Sequence, residues 1–155
     1  MSVAFRRESD EEHLEPRFEM PIPFGPNLVT HRGLALIGAR VTALEAELAG
    51  LVEGAAEEGA IAAVRRDLRY WQTRQITAEL VPAPSGDVVA IGTTVTFRLN
   101  GTERVLSIVG DDEADPAAGL ISFSAPLARA LLGAEVGETI DFADKDDAIE
   151  VLAIR

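Results

Sequence analysis

The sequence has no cysteine, so neither a disulfide nor a thiolate metal site can form within it. It also has no run of about 18 apolar residues, the length that a membrane-spanning helix requires, and no apolar segment follows its first arginines. Basic residues are few, because 14 Lys and Arg stand against 26 Asp and Glu for a net charge of −12. Binding of nucleic acid by charge neutralisation alone is therefore disfavoured, and we expect a cytoplasmic protein with no membrane partner.

The sequence also lacks any pattern typical of a catalytic centre. It contains no nucleophile–base pair, and its two histidines, His13 and His31, are isolated from acids at metal-ligand spacing. We therefore expect no catalytic residue, no bound metal and no cofactor, and we do not expect the protein to be an enzyme.

Three regions follow one another along the chain. Residues 1–29 contain four prolines, all within "PRFEMPIPFGPN", and these favour an extended N-terminal tail. Residues 30–81 have the apolar spacing of helices, and residues 86–155 are rich in Val, Ile and Thr, which favour strands.

The helical region predicts a hairpin. After Thr30, a suitable N-cap, apolar residues recur at alternating spacings of three and four, as in a coiled coil. The segment "EGAAEEGA" interrupts this pattern with Gly54 and Gly59, and a second seam follows it. Two seams joined by a short loop indicate an antiparallel helical hairpin, with Trp71 as a core anchor at its base. The seam residues are Leu34, Ile37, Val41, Leu44, Leu48 and Leu51, then Ile61, Val64, Leu68 and Trp71.

The C-terminal region predicts a small antiparallel sheet with one short helix, which makes the whole chain α+β. Asn100-Gly101 between two apolar runs indicates a two-residue hairpin, and "TIDFADKDDAIEVLAIR" repeats the strand-turn-strand theme. "LISF" indicates a short strand after a loop with four acids, Asp111, Asp112, Glu113 and Asp115. Ser124 is the predicted N-cap of the helix, Pro126 lies in its first turn, and Gly133 ends it.

Several of these segments together resemble the Gre family of bacterial transcript-cleavage factors. "IGTTVTF", "IVGDDEAD", "LISFSAPLARALLG", "VGETIDF" and "IEVLAI" are similar to that family's C-terminal domain, and the hairpin beginning "VTHRGLALI" is similar to its N-terminal coiled coil. The resemblance covers roughly residues 28–155. It implies an FKBP-like domain on the rim of the secondary channel of RNA polymerase and a coiled coil that extends into the channel. The implied partner is the bacterial RNA polymerase core, with indirect contact to transcript RNA, and we expect the protein to be a monomer.

The tip of the hairpin departs from the family pattern. There, two acids help to hold the magnesium ion with which the polymerase cleaves its own backtracked transcript. Aligning the glycine of that tip with Gly59 places Ala60 and Ala63 where the acids should be, and a methyl group cannot ligate a metal. In another alignment, shifted by two or three residues, Glu57 and Glu58 reach the apex; otherwise they are solvated charges near a helix N-terminus.

The resemblance also implies two contact surfaces. Gre factors grip the polymerase with the loop before the short helix, here Phe123, Ser124, Ala125, Pro126 and Leu127, where Ala125-Pro126 replaces the usual Ser-Pro. The arginines Arg65, Arg66 and Arg69 are candidates for contact with RNA or polymerase acids, or for a solvated face that pairs with Glu45 and Glu47.

Three functions stay open at this point. The first is a polymerase-binding regulator with weak or absent cleavage stimulation. The second is a transcript-cleavage cofactor that uses Glu57 and Glu58. The third is an interaction module of FKBP-like shape with a different partner.

Overall fold

The computed structural model describes residues 19–155, so most of the predicted N-terminal tail lies outside the described residues. The chain forms two compact units. The first contains Arg40–Thr73 together with residues 19–22, and the second contains Pro23–Ala39 and Arg74–Arg155. The domain bounds that the sequence suggests, 30–81 and 86–155, stay a prediction.

Two long helices confirm the predicted hairpin. Helix α1 spans His31–Glu53 and helix α2 spans Glu58–Thr77, which makes them about 34 Å and about 30 Å long at about 1.5 Å per residue. Thr30 caps α1 as predicted, because its Oγ1 accepts a hydrogen bond of 3.0 Å from the backbone N–H of Gly33.

The apolar seam forms the core of the first unit. Val41 and Leu44 of α1 are buried together with Val64 and Leu68 of α2. Leu48, Leu51 and Trp71 are partly buried against this cluster. The alternating three-and-four spacing therefore places these side chains on the facing sides of the two helices, as a coiled-coil seam requires.

The left-handed residue of the hairpin turn lies one position after Gly54. Ala55, not Gly54, has the left-handed backbone conformation, with φ at 50°. Its N–H bonds to the carbonyl of Val52 at 3.2 Å, and the N–H of Ala56 bonds to the carbonyl of Leu51 at 2.9 Å. These two bonds form a Schellman motif that ends α1. The prediction that Gly59 interrupts the helices is wrong, because Gly59 lies inside α2.

Two short strands lie next to the ends of the helices. Strand β1, Leu28–Val29, pairs in parallel with β2, Glu79–Leu80. The backbone N–H of Glu79 bonds to the carbonyl of Asn27 at 2.8 Å. The sequence did not indicate this pair, because two-residue strands are too short for any periodicity.

A five-stranded sheet fills the second unit. Its strands are β3 Thr94–Leu99, β4 Thr102–Val109, β5 Leu120–Ser122, β6 Thr139–Phe142 and β7 Lys145–Ile154, in the spatial order β5-β4-β3-β7-β6. The pairs β3–β4, β3–β7 and β6–β7 are antiparallel. The prediction of an antiparallel sheet is therefore wrong for one strand pair: β5 runs parallel to β4, because residues 110–119 carry the chain back before β5 begins, and the sheet is mixed. Residues 110–119, with a 3₁₀ turn at Pro116–Ala118, carry the chain back to the start of β5.

The inner face of the sheet packs on the single short helix, α3, Pro126–Leu131. The buried cluster combines Phe97 of β3, Ile108 of β4 and Ile149 of β7 with Ala128 and Leu131 of α3. Asn100 and Gly101 form the predicted two-residue turn, with φ at 50° and 85°. The predicted fold class, an α+β chain with a helical hairpin and a sheet unit, is confirmed.

Among residues 19–155, no helix is both long enough and apolar enough to cross a membrane.

Candidate functional site

The acidic loop after β4 binds the C-terminal end of α2 through a buried ion pair. Arg74 Nε donates a hydrogen bond of 2.6 Å to Asp112 Oδ2. The side chains of these two residues are 2% and 6% exposed. A guanidinium taken so far out of water requires a partner of opposite charge, and Asp112 supplies it.

The same loop binds the start of α1 through Glu113. This buried carboxylate accepts hydrogen bonds from Thr30 Oγ1 at 2.5 Å and from Arg32 Nη1 at 2.8 Å. Two glycines allow the close approach. A Cβ on Gly33 would lie 2.8 Å from Glu113 Oε1, and a Cβ on Gly110 would lie 2.5 Å from the carbonyl oxygen of Leu28. The acidic loop is therefore an anchor for both helix ends.

Asp111 connects this anchor to the loop before α3. Its Oδ1 accepts hydrogen bonds from Ser122 Oγ at 2.5 Å and Ser124 Oγ at 3.0 Å. Its Oδ2 lies 3.6 Å from Arg74 Nη2. The sequence predicted no role for the acidic loop or for Arg74, because the partners are far apart along the chain.

The five residues predicted to grip the polymerase lie in one turn and the start of α3. Ser124 and Pro126 are exposed, whereas Phe123, Ala125 and Leu127 are half-buried and pack against the core of the sheet unit. The predicted N-cap role of Ser124 is wrong. Ala125 holds the N-cap position without a side-chain cap, because the hydroxyl of Ser124 bonds to Asp111 instead. Pro126 begins the helix as predicted.

The hairpin tip carries acids at its apex and alanines behind it. Glu57 immediately precedes α2, and its carbonyl accepts hydrogen bonds from the N–H groups of Ala60 at 3.1 Å and Ile61 at 3.2 Å. Glu57, Glu58 and Ala60 are exposed and Ala63 is half-buried. Within residues 19–155, no group of three or more His, Cys, Asp or Glu side chains is placed to hold a metal ion.

Two of the three candidate arginines of α2, Arg66 and Arg69, have partners other than the Glu45 and Glu47 considered from the sequence. Arg69 donates hydrogen bonds to both carboxylate oxygens of Glu19, the shortest 2.6 Å from Nη2. These bonds lower the pKa of Glu19 and raise the pKa of Arg69. Arg66 pairs with Asp67 at 3.3 Å, and Arg65 is exposed.

These features define a class of protein with two long helices, in which Thr30, Arg32 and Arg74 near the helix ends bind the acidic loop of a small mixed sheet, Arg74 through a buried ion pair. Residues 83–155 match the family described as "Transcription elongation factor, GreA/GreB, C-term". This part of the chain is therefore similar to the C-terminal domain of the GreA/GreB family, as the sequence suggested.

Individual relatives cover the same share of the chain. The transcription elongation factor GreA of Azorhizobium caulinodans is 45% identical over 75 residues, which are 46% of this chain and 48% of that protein. GreA of Bacillus cereus is 42% identical over 72 residues, 44% of this chain and 46% of that protein. The chain thus spans about half the length of the relatives that it matches.

Solved structures show a looser likeness. The GreA factor homolog 1 (Gfh1) of Thermus thermophilus superposes with a TM-score of 0.38 at 20% identity, covering 84% of this chain and 99% of that one. The GreA/GreB factor of Nitrosomonas europaea gives a TM-score of 0.38 at 22% identity, with coverage of 82% and 97%. Superpositions of this quality carry no argument about function.

Proposed function

We propose that the protein binds bacterial RNA polymerase as a Gre-like elongation regulator and does not stimulate transcript cleavage. The match of residues 83–155 with the GreA/GreB C-terminal domain supports the binding half of the proposal. The polymerase, not this chain, would carry the chemistry, and the chain would act as a monomer with at most indirect contact to the transcript.

The observation that carries the second half is the pair Ala60 and Ala63. A Mg²⁺ ion requires oxygen ligands in octahedral geometry, usually one or two carboxylates with waters and phosphates. In the register set by Gly59, the side chains at both ligand positions are methyl groups within α2. A factor without these carboxylates cannot add ligands to a metal ion held by the polymerase.

A second candidate function is favoured by the position of Glu57 and Glu58. Both are exposed and lie where the chain enters α2, next to the turn that ends α1. Two adjacent carboxylates at the tip of a helical hairpin could ligate a metal ion in place of the missing pair. In that case the protein would be an active cleavage cofactor whose acids have moved along the chain.

Cleavage of a backtracked elongation complex in Mg²⁺ separates the two functions. Short 3′ RNA fragments are scored with no factor, with this protein, with an authentic cleavage factor, and with both. We expect no extra cleavage from this protein alone and inhibition of the authentic factor, because the two would compete for one site. Efficient cleavage that disappears in Glu57→Ala or Glu58→Ala would establish the second candidate instead.

Binding is tested separately at the loop before α3. Pro126 is exposed there, so Pro126→Asp places an unpaired charge in the contact and should weaken polymerase binding more than tenfold, or about 1.4 kcal/mol. The control is Asp87→Asn, an exposed charge change in a loop outside the proposed contact. Unchanged affinity in a folded Pro126→Asp protein would place the interface elsewhere, and no binding by the wild type would leave an interaction module with another partner.

A further inference from the structure

We propose that Asp111 is a positioning residue for polymerase binding, because it holds residues 122–125 in the turn that presents Ser124 and Pro126. Buried Arg74 in turn orients Asp111. This inference rests on the proposed polymerase binding. It adds the residue that fixes the shape of the loop before α3, which we call the contact loop.

Three hydrogen bonds close the turn around one carboxylate. Asp111 Oδ1 accepts from both Ser122 Oγ and Ser124 Oγ. The backbone N–H of Ser124 donates to Ser122 Oγ at 3.1 Å. Each serine hydroxyl has a single proton, and here both protons can point to Asp111. The hydroxyl oxygens of Ser122 and Ser124 then lie 2.8 Å apart because they share this acceptor. Removing that acceptor leaves the two oxygens without a common partner.

Arg74 fixes the carboxylate from the other side. Its Nη2 is buried without a hydrogen-bond partner within the described residues and faces Asp111 Oδ2 at 3.6 Å. That distance is too long for a hydrogen bond but short for an attraction between opposite charges in a poorly hydrated site. Asp111 itself is only 14% exposed. Its effect on a partner protein would therefore pass mainly through the two serines.

Asp111 affects binding through the conformational order of the loop before α3. Ser124 and Pro126 are exposed, whereas half-buried Phe123 and Ala125 pack on the core of the sheet unit. A loop already fixed in its bound shape loses less conformational entropy on association. Without Asp111 the turn would have to be ordered by the polymerase, and we expect about tenfold weaker binding.

The test is a mutant cycle on the full chain with polymerase core. Affinity is measured for the wild type, Asp111→Ala, the double variant Ser122→Ala/Ser124→Ala, and the triple variant. If Asp111 acts through the serines, its removal weakens binding about tenfold in the wild type and has little further effect in the serine double variant. Asp115→Ala, which removes an exposed charge from the same loop, is the matched control and should bind as the wild type does.

Backbone amide exchange supplies a readout that does not depend on the polymerase. Exchange at residues 122–125 should accelerate in Asp111→Ala, while exchange in β3 stays as in the wild type. If Asp111→Ala does not fold, Ser122→Ala alone serves, because it removes two of the three bonds and leaves the pair of Asp111 and Arg74 in place.

The outcomes separate this inference from the proposed function. A wild type that fails to bind polymerase refutes the proposed function, and with it the binding role of Asp111. A wild type that binds, with Asp111→Ala no weaker than Asp115→Ala, overturns the positioning role alone. An equal loss of affinity from Asp111→Ala with and without the two serines would also overturn the positioning role. Unchanged amide exchange at residues 122–125 in Asp111→Ala would overturn it too.

Discussion

Replacing Arg74 by methionine tests whether the acidic loop anchors the hairpin. The guanidinium of Arg74 is 2% exposed and is shared between Asp112 at 2.6 Å and Asp111 at 3.6 Å. Methionine fills much of the same volume, so the variant creates little cavity. Its main effect is to leave Asp112, 6% exposed, buried without its cation.

The expected loss of folding stability follows because only one partner of the ion pair is removed. Removing one partner of a buried ion pair costs about 3–5 kcal/mol, because the remaining charge has lost both its water and its partner. In a protein of this size that loss lowers the thermal midpoint by roughly 6–20 °C. Replacing both partners, as in Arg74→Met with Asp112→Leu, should recover much of the loss, since a buried pair contributes little beyond an apolar pair of similar volume.

Thermal and urea unfolding followed by circular dichroism measure the effect. Arg69→Met is the matched control, because Arg69 is on the same helix but its ion pair with Glu19 is exposed, so its midpoint should stay close to that of the wild type. A loss below about 1 kcal/mol in Arg74→Met would show that the ion pair does not hold the helix end. No recovery in the double variant would show that the loss comes from packing and not from the stranded charge.

Three further predictions concern single positions. Ala143 and Asp144 form the turn between β6 and β7 with φ at 51° and 62°. The double variant Ala143→Asn with Asp144→Gly would give this turn the Asn-Gly sequence of the turn between β3 and β4. It should raise the free energy of unfolding in urea by about 0.5–1 kcal/mol. Ala55→Gly should stabilise the hairpin by a similar amount, about 0.5–1 kcal/mol, because Ala55 holds a left-handed conformation that glycine adopts freely. The hydrogen bonds from Arg69 lower the pKa of Glu19 in the folded protein. Any stability from this pair is therefore present above the pKa of Glu19 in the unfolded chain and is lost as the pH falls through its lower pKa in the folded protein. An NMR titration should show that the folded-state pKa of Glu19 rises in Arg69→Ala.

The elements that the sequence predicted correctly are those with a local cause. The seam residues Val41, Leu44, Val64 and Leu68 are buried because the spacing of three and four keeps them on one side of each helix. The Asn-Gly turn was predictable because both of its residues require positive φ. In each case the residues that decide the structure are neighbours along the chain.

The anchor at the base of the hairpin could not be predicted in the same way. Arg74 and Asp112 are separated by 38 positions, and no local spacing pairs them. Ser124 shows how such a distant partner overrides a local preference. It is a good N-cap residue just before a helix, yet its hydroxyl bonds to Asp111, 13 positions away, and α3 begins without a side-chain cap. The hairpin tip was not fully predictable either, since Gly54 lies in the turn whereas Gly59 lies inside α2.

The division of these features along the chain bears on the proposed loss of cleavage. The contact loop and Asp111 lie within residues 83–155, which match the family, whereas the tip acids would lie on the hairpin, before that match begins. Binding would be carried by one set of residues and metal ligation by another, with no side chain common to both. A chain can therefore keep the first property and lose the second through two substitutions to alanine. Polymerase affinity is therefore not a measure of cleavage activity in this protein. Because Ala60 and Ala63 occupy the ligand positions, we expect a tight complex with the polymerase that yields no RNA fragments.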